Sequence, residues 1–136
     1  MSLTFINDFQ NQIYKSLSND QDINAIIKKI YIGSVQDGQS PFLLITITKA
    51  DDLSIHKVAL YAIEFQISVY AKDQNHHVLT ILSDLIIKNL SNIKKLFNHY
   101  SIDGIKARNI IFDTAKDLVL NRLVIHYKSI IKKEIK

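Results

Sequence analysis

Near the start of the chain the apolar residues Ile6, Phe9, Ile13 and Leu17 recur at spacings of three and four. That spacing predicts a helix over about 3 to 17 with one sticky stripe, and Ser2 stands where an N-cap would. The polar run LSNDQD ends it. Asp20 or Asp22 then caps a short second helix through INAIIKK, whose lysines sit at the negative end of its dipole. From there the pattern changes to alternation. KIYIGS reads as a short strand, and residues 33 to 41 as a connector. Gly33 and Gly38 adopt backbone angles that other residues resist, and Pro41 has no N–H to give a sheet ladder. Beyond it, FLLITIT sets Leu43, Ile45 and Ile47 against Leu44, Thr46 and Thr48, a strand with one buried face. KADDLSIHK is polar enough for a loop. VALYAIEFQISVYA then alternates most clearly, with Tyr61, Ile63, Phe65, Ile67 and Val69 inward and Glu64, Gln66 and Ser68 outward. Two strands joined in this way pair antiparallel.

Asp73 caps a longer helix whose stripe is Val78, Ile81, Leu82, Leu85, Ile86 and Leu90. Through 91 to 100 two paths stay open: Ile93, Leu96 and Phe97 continue the helix, or the chain turns near Ser91. Asp103-Gly104 marks a turn, after which IKARNIIF and DLVLNRLVIHYKSII read as strands joined by DTAK in a hairpin. The expected order is α-α-β-β-β-α-β-β. This is an α+β fold, a mostly antiparallel sheet of four to five strands with helices packed on one face. A chain of 136 residues fits one domain over 1–136, with a lysine-rich end at about 128–136.

Composition narrows the function classes. Hydrophobic residues at 47% and charged residues at 22% match ordinary globular domains, which argues against disorder. The absence of cysteine excludes disulfides and thiolate metal sites. No apolar run reaches the roughly 18 residues of a membrane helix, and the N-terminus does not read as a secretory signal, so folding in cytoplasm with no membrane partner is expected. The net charge is +4, but the last nine residues carry four lysines and one glutamate and so account for +3 of it. Only Arg108 and Arg122 are arginine, the side chain best suited to bidentate phosphate and base contacts.

No active site assembles from the reactive residues. His76 and His77 are adjacent, so on a helix they point about 100° apart and do not share a metal as an i, i+4 pair would. Asp51 and Asp52 read as turn formers, and His126 as a structural histidine on a strand. Gly33 and Gly38 match no phosphate-binding loop. No catalytic, metal-ligating or cofactor-binding residue is assigned, and no enzymatic activity is expected.

The order of elements, together with the IYIGSVQDGQSPFLLITI connector, resembles the tail-completion or tail-terminator family of long-tailed bacteriophages, prophages and gene transfer agents. The likeness runs from Ile30 to Ile32, through Val35, Pro41 and Phe42, to Ile63 to Ala71 and the helix from Asp73. Two departures are Gln36, where many members carry proline, and a longer stretch after the main helix. The resemblance implies a homo-oligomeric ring, commonly a hexamer, that caps the tail tube and meets the head connector while DNA passes through the hole. The implied partners are further copies of the chain, the tail-tube protein and the connector protein, and the implied destination is the virion. Under that reading Lys49, Asp51, Asp52, His56 and Lys57 form a candidate interaction loop, and Leu60 and Tyr70 a candidate oligomer surface. Two other classes remain: a small nucleic-acid-binding module using the basic end, Lys128, Lys132, Lys133 and Lys136, or an unrelated α+β protein-interaction domain.

Overall fold

The structure, a computed structural model, describes residues 3–36, 40–72, 77–93, 99–114 and 121–133. Its elements are α1 (Thr4–Ser18), α2 (Gln21–Asn24), β1 (Lys29–Ile32), β2 (Phe42–Asp52), β3 (Ala59–Ala71), α3 (His77–Ser91), β4 (Tyr100–Thr114) and β5 (Asn121–Lys133). The order and the α+β class are those expected from the sequence. One five-stranded sheet runs β1-β2-β3-β5-β4. β1 lies parallel to β2, and every other neighbouring pair is antiparallel, including the expected β2–β3 and β4–β5 pairs.

The core lies between one face of this sheet and the helices. Ile63, Phe65, Ile67 and Val69 of β3 and Leu123, Ile125, Tyr127 and Ile131 of β5 are buried with Phe5, Phe9, Ile13 and Leu17 of α1. Aromatic contacts fix where α1 docks. Phe5 lies 4.5 Å from Tyr61 and 5.4 Å from Tyr100, ring centre to ring centre. One turn on, Phe9 meets Phe65 edge-on at 5.3 Å, and Phe65 stacks on Tyr127 at 4.9 Å. A one-residue slip of β3 would turn all four of its buried side chains away from the helices, so the register is strongly specified.

Several expectations are corrected in detail. Phe5 rather than Ile6 begins the buried row of α1, and the N-cap position is Leu3, with no side-chain cap; Ser2 lies outside the described residues. α2 stops at Asn24, well short of the expected INAIIKK span. Its cap is Asp20, whose Oδ1 accepts from the amides of Asp22 at 3.0 Å and Ile23 at 3.1 Å. The chain leaves the helix early because Lys28 is already tied to the start of β2, donating its amide to the Pro41 carbonyl at 2.7 Å.

In α3 the buried line is Leu79, Leu82, Ser83, Ile86 and Leu90. Ile81 faces outward, and Val78 and Leu85 are half-buried, because the helix is apolar around much of its circumference and the sheet chooses the face. The helix ends at Ser91, and the amides of Asn92 and Ile93 donate to Asn89 and Leu90 in a closing turn. Gly38, Asp73, His76, Leu96, Phe97 and the 115–116 half of the expected DTAK turn lie outside the described residues.

Three register shifts interrupt the described strands, one in β2 and two in β4. The register of β2 against β3 slips between Ile47 and Lys49, so Lys49 to Asp52 are strand and not the expected loop. Thr48 occupies the slip, and its hydroxyl donates to the Glu64 carbonyl at 3.0 Å. β4 begins at Tyr100 and runs through Asp103-Gly104 instead of turning there. Gly104 takes φ +96°, and the buried Ser129 hydroxyl donates to its carbonyl at 2.8 Å.

Candidate interaction surfaces

The β2–β3 hairpin carries the residues expected to form an interaction loop, but it does not gather them. Lys49 and Asp51 sit on the sheet face away from the helices, with Lys49 Nζ 3.4 Å from Asp51 and 4.0 Å from Glu64. Both pairs are open to solvent and contribute little to stability. Asp52 ends the strand and organises the turn. The Ser54 hydroxyl and amide hold its carboxyl below the usual range, the amide donating at 2.9 Å. His56 and Lys57 form the apex between Ile55 and Val58, whose amides and carbonyls exchange bonds of 3.1 and 2.8 Å. Lys57 adopts φ 63° there. The turn also exposes Leu53, Ile55 and Val58, with Ile55 70% exposed. The tip of this hairpin is therefore apolar as well as charged.

Leu60 and Tyr70 belong to the same strand but stand at its two ends, about 33 Å apart at the usual rise per strand residue. Leu60 is bonded into the turn, its amide donating to the Ser54 hydroxyl at 3.0 Å. Tyr70 stacks on Phe42 at 4.7 Å, and Phe42 meets Tyr31 edge-on at 5.5 Å. Arg122, beside Tyr70, is raised above its ordinary value first by a hydrogen bond to that tyrosine, and it pairs with Asp113. The two residues therefore serve different neighbourhoods.

Lys128, Lys132 and Lys133 are not a tail. They belong to β5, between β3 and β4, where Lys128 lies opposite Glu64 and Lys106, and Lys132 opposite Leu60 and Ser101. Lys133 places its ammonium 5.8 Å from the centre of the Tyr100 ring. Lys136 lies outside the described residues.

Between α1, α2 and α3 a cleft of about 570 Å³ is lined by Lys15, Ser16, Asp20, Leu85, Lys88 and Asn89 among others. Three of its polar residues, Ser16, Asp20 and Asn89, bond to one another. Ser16 Oγ donates to Asn89 Oδ1 at 2.6 Å, and Asn89 Nδ2 donates to the Ser16 carbonyl at 3.0 Å and to Asp20 Oδ2 at 2.9 Å. That closed network reads as a joint between helices. Among the described residues no three of His, Asp and Glu gather to hold a metal, and no helix is long and apolar enough to cross a membrane. His77 starts α3 in solvent, and His126 is half-buried on the helix-free face.

The surface that the sequence reading missed is the end of β4, where Ile110, Ile111 and Phe112 are all exposed. Its signal was a run, NIIF, without the alternation of a half-buried strand. No protein-family model matches the chain, and no curated protein does. Among solved structures, a chain from the virion of a native gene transfer agent particle shares the fold. Its TM-score is 0.74 at 13% identity, covering 88% of this chain and 91% of that one.

Proposed function

We propose that this protein is a structural component of a phage-type virion, a ring-forming tail-terminator subunit that caps the tail tube and joins it to the head connector. The observation that carries this reading is the fold held in common with a gene transfer agent virion chain over nearly the whole of both chains. The likeness of the strand, connector and helix order to tail-completion proteins supports the finer role, as do apolar residues exposed at the hairpin tip and on β4. The working parts are then surfaces: copies of the chain against one another, the hairpin tip around Ile55 against tube or connector, and a hole through which DNA passes without being read. The chain acts during assembly in the host cytoplasm and afterwards in the virion, with no reaction to catalyse. The nucleic-acid reading is weakened, because the lysines do not form one free basic end: Lys128 and Lys132 stand on the helix-free face of β5 and Lys133 on the other.

Native mass spectrometry at high protein concentration, alone and with the tail-tube protein of the same genome, tests this. A closed oligomer, formed alone or on the tube, is the expected result. Persistent monomer in both samples, with no affinity for the tube, would falsify the reading.

A further inference from the structure

The two edges of the sheet match each other row by row. Following the pairing from β4 through β5, β3 and β2 to β1, Asp113 lies on the row of Lys29, Phe112 on that of Ile30, Ile111 on that of Tyr31, and Ile110 on that of Ile32. β4 and β1 also run in opposite directions, since three antiparallel steps and one parallel step separate them. We propose that residues 110–113 of β4 accept the β1 edge of a second copy as an added antiparallel strand. Ile110 then faces Ile32, Ile111 faces Tyr31, Phe112 faces Ile30, and Asp113 faces Lys29. This deepens the ring reading above and rests on it.

Three observations select this occupant. First, the exposed apolar residues lie on both faces of the strand: Ile110 (41% exposed) and Phe112 (52%) on the helix side, Ile111 (49%) on the other. A partner lying on one face would leave the other wet, whereas a strand added at the edge covers both. Second, β4 keeps an unbroken register where it is apolar. Bulges interrupt β4 between Ile102 and Ile105 and between Ala107 and Asn109, a usual protection of edges, but from Asn109 to Thr114 the pairing is regular. Third, charge fits. Lys29 is exposed on the helix-free face, and its row carries Asp113 at the far edge. A two-fold pairing of β4 on β4 about Ile111 would set Asp113 against Asn109 instead.

Each such contact joins the β4 edge of one copy to the β1 edge of the next, so it is head-to-tail, the type of contact from which rings are built.

The chain has no cysteine, which makes the test direct. Ile32→Cys and Ile110→Cys are combined in one chain, oxidised at assembling concentration and run without reductant. A ladder of covalent oligomers is expected from the double variant, and no cross-link from either single one. A covalent dimer from Ile110→Cys alone indicates β4 on β4 and overturns the proposal. So does an oligomer in native mass spectrometry with no ladder, which leaves the ring reading standing; no oligomer alone or on the tail tube sinks both. Should the cysteine pair impair folding by circular dichroism, exposed charges decide. Asp113 already pairs with Arg122 of its own chain, so the substitution is made on the other edge: Lys29→Asp weakens assembly by roughly tenfold or more, and Lys29→Arg keeps it. Unchanged assembly of Lys29→Asp also overturns the pairing.

Discussion

Tyr127 is a phenol placed where a phenylalanine would do better. Its ring stacks on Phe65 in the core, yet among the described residues its hydroxyl is buried with no hydrogen-bond partner. Burial accordingly pushes its ionisation up from the ordinary 10.0. An orphaned buried hydroxyl costs more than it returns, so Tyr127→Phe is expected to stabilise the fold by about 1 kcal/mol. The sign of the pH effect follows. The unfolded chain loses this proton near its ordinary value while the folded chain keeps it, so the parent protein loses stability as pH rises above about 10, and the variant lacks that component. Urea midpoints for the two proteins at pH 7 and at pH 10.5 check both statements; a destabilised Tyr127→Phe would show that the hydroxyl has a partner after all.

At the scale of elements, Asp20 does the work of a rivet. One carboxylate oxygen caps α2 while the other accepts from Asn89 of α3, and Asn89 in turn grips Ser16 of α1. Asp20→Ala is expected to cost about 1–2 kcal/mol, the loss of a cap and of a charged hydrogen bond. In a double-mutant cycle with Asn89→Ala the two losses should fall short of additive, because each variant breaks the same bond; simple additivity in thermal unfolding would refute the joint.

The cap itself was half legible, since the sequence offered Asp20 and Asp22 equally and only the packed turn chooses between them. The alternation of Tyr61 to Val69 was sufficient to find β3, its inward face and its pairing, because period-two burial admits one orientation. What stayed hidden depends on neighbours distant in sequence. The slip at Thr48 needs the Glu64 carbonyl to explain it, and the bulge at Gly104 needs Ser129. The edge position of the NIIF run follows from β5 inserting between β3 and β4, an order that no local pattern encodes.

For the whole molecule, that insertion changes what the basic C-terminal segment means. Residues 128–133 pair with Ala59 to Glu64 on one side and with Tyr100 to Lys106 on the other, and Ser129 and Ile131 within them are buried. Cutting the chain after Tyr127 would strip β3 and β4 of their common neighbour over half their length and leave Ile63, Tyr61 and Ile102 without the strand that covers them. The truncated chain is therefore expected to lose its cooperative thermal transition. Replacing Lys128 and Lys132 by glutamine removes two charges from the helix-free face at positions that are half-buried or exposed, and should shift stability by less than about 1 kcal/mol. The same pair separates charge from fold in any DNA-binding assay. If DNA affinity is lost on truncation but kept in the double glutamine variant, the loss reports unfolding. A salt slope reduced by about 0.9 for each removed lysine would instead make those lysines phosphate contacts and count against a ring through which DNA passes unread.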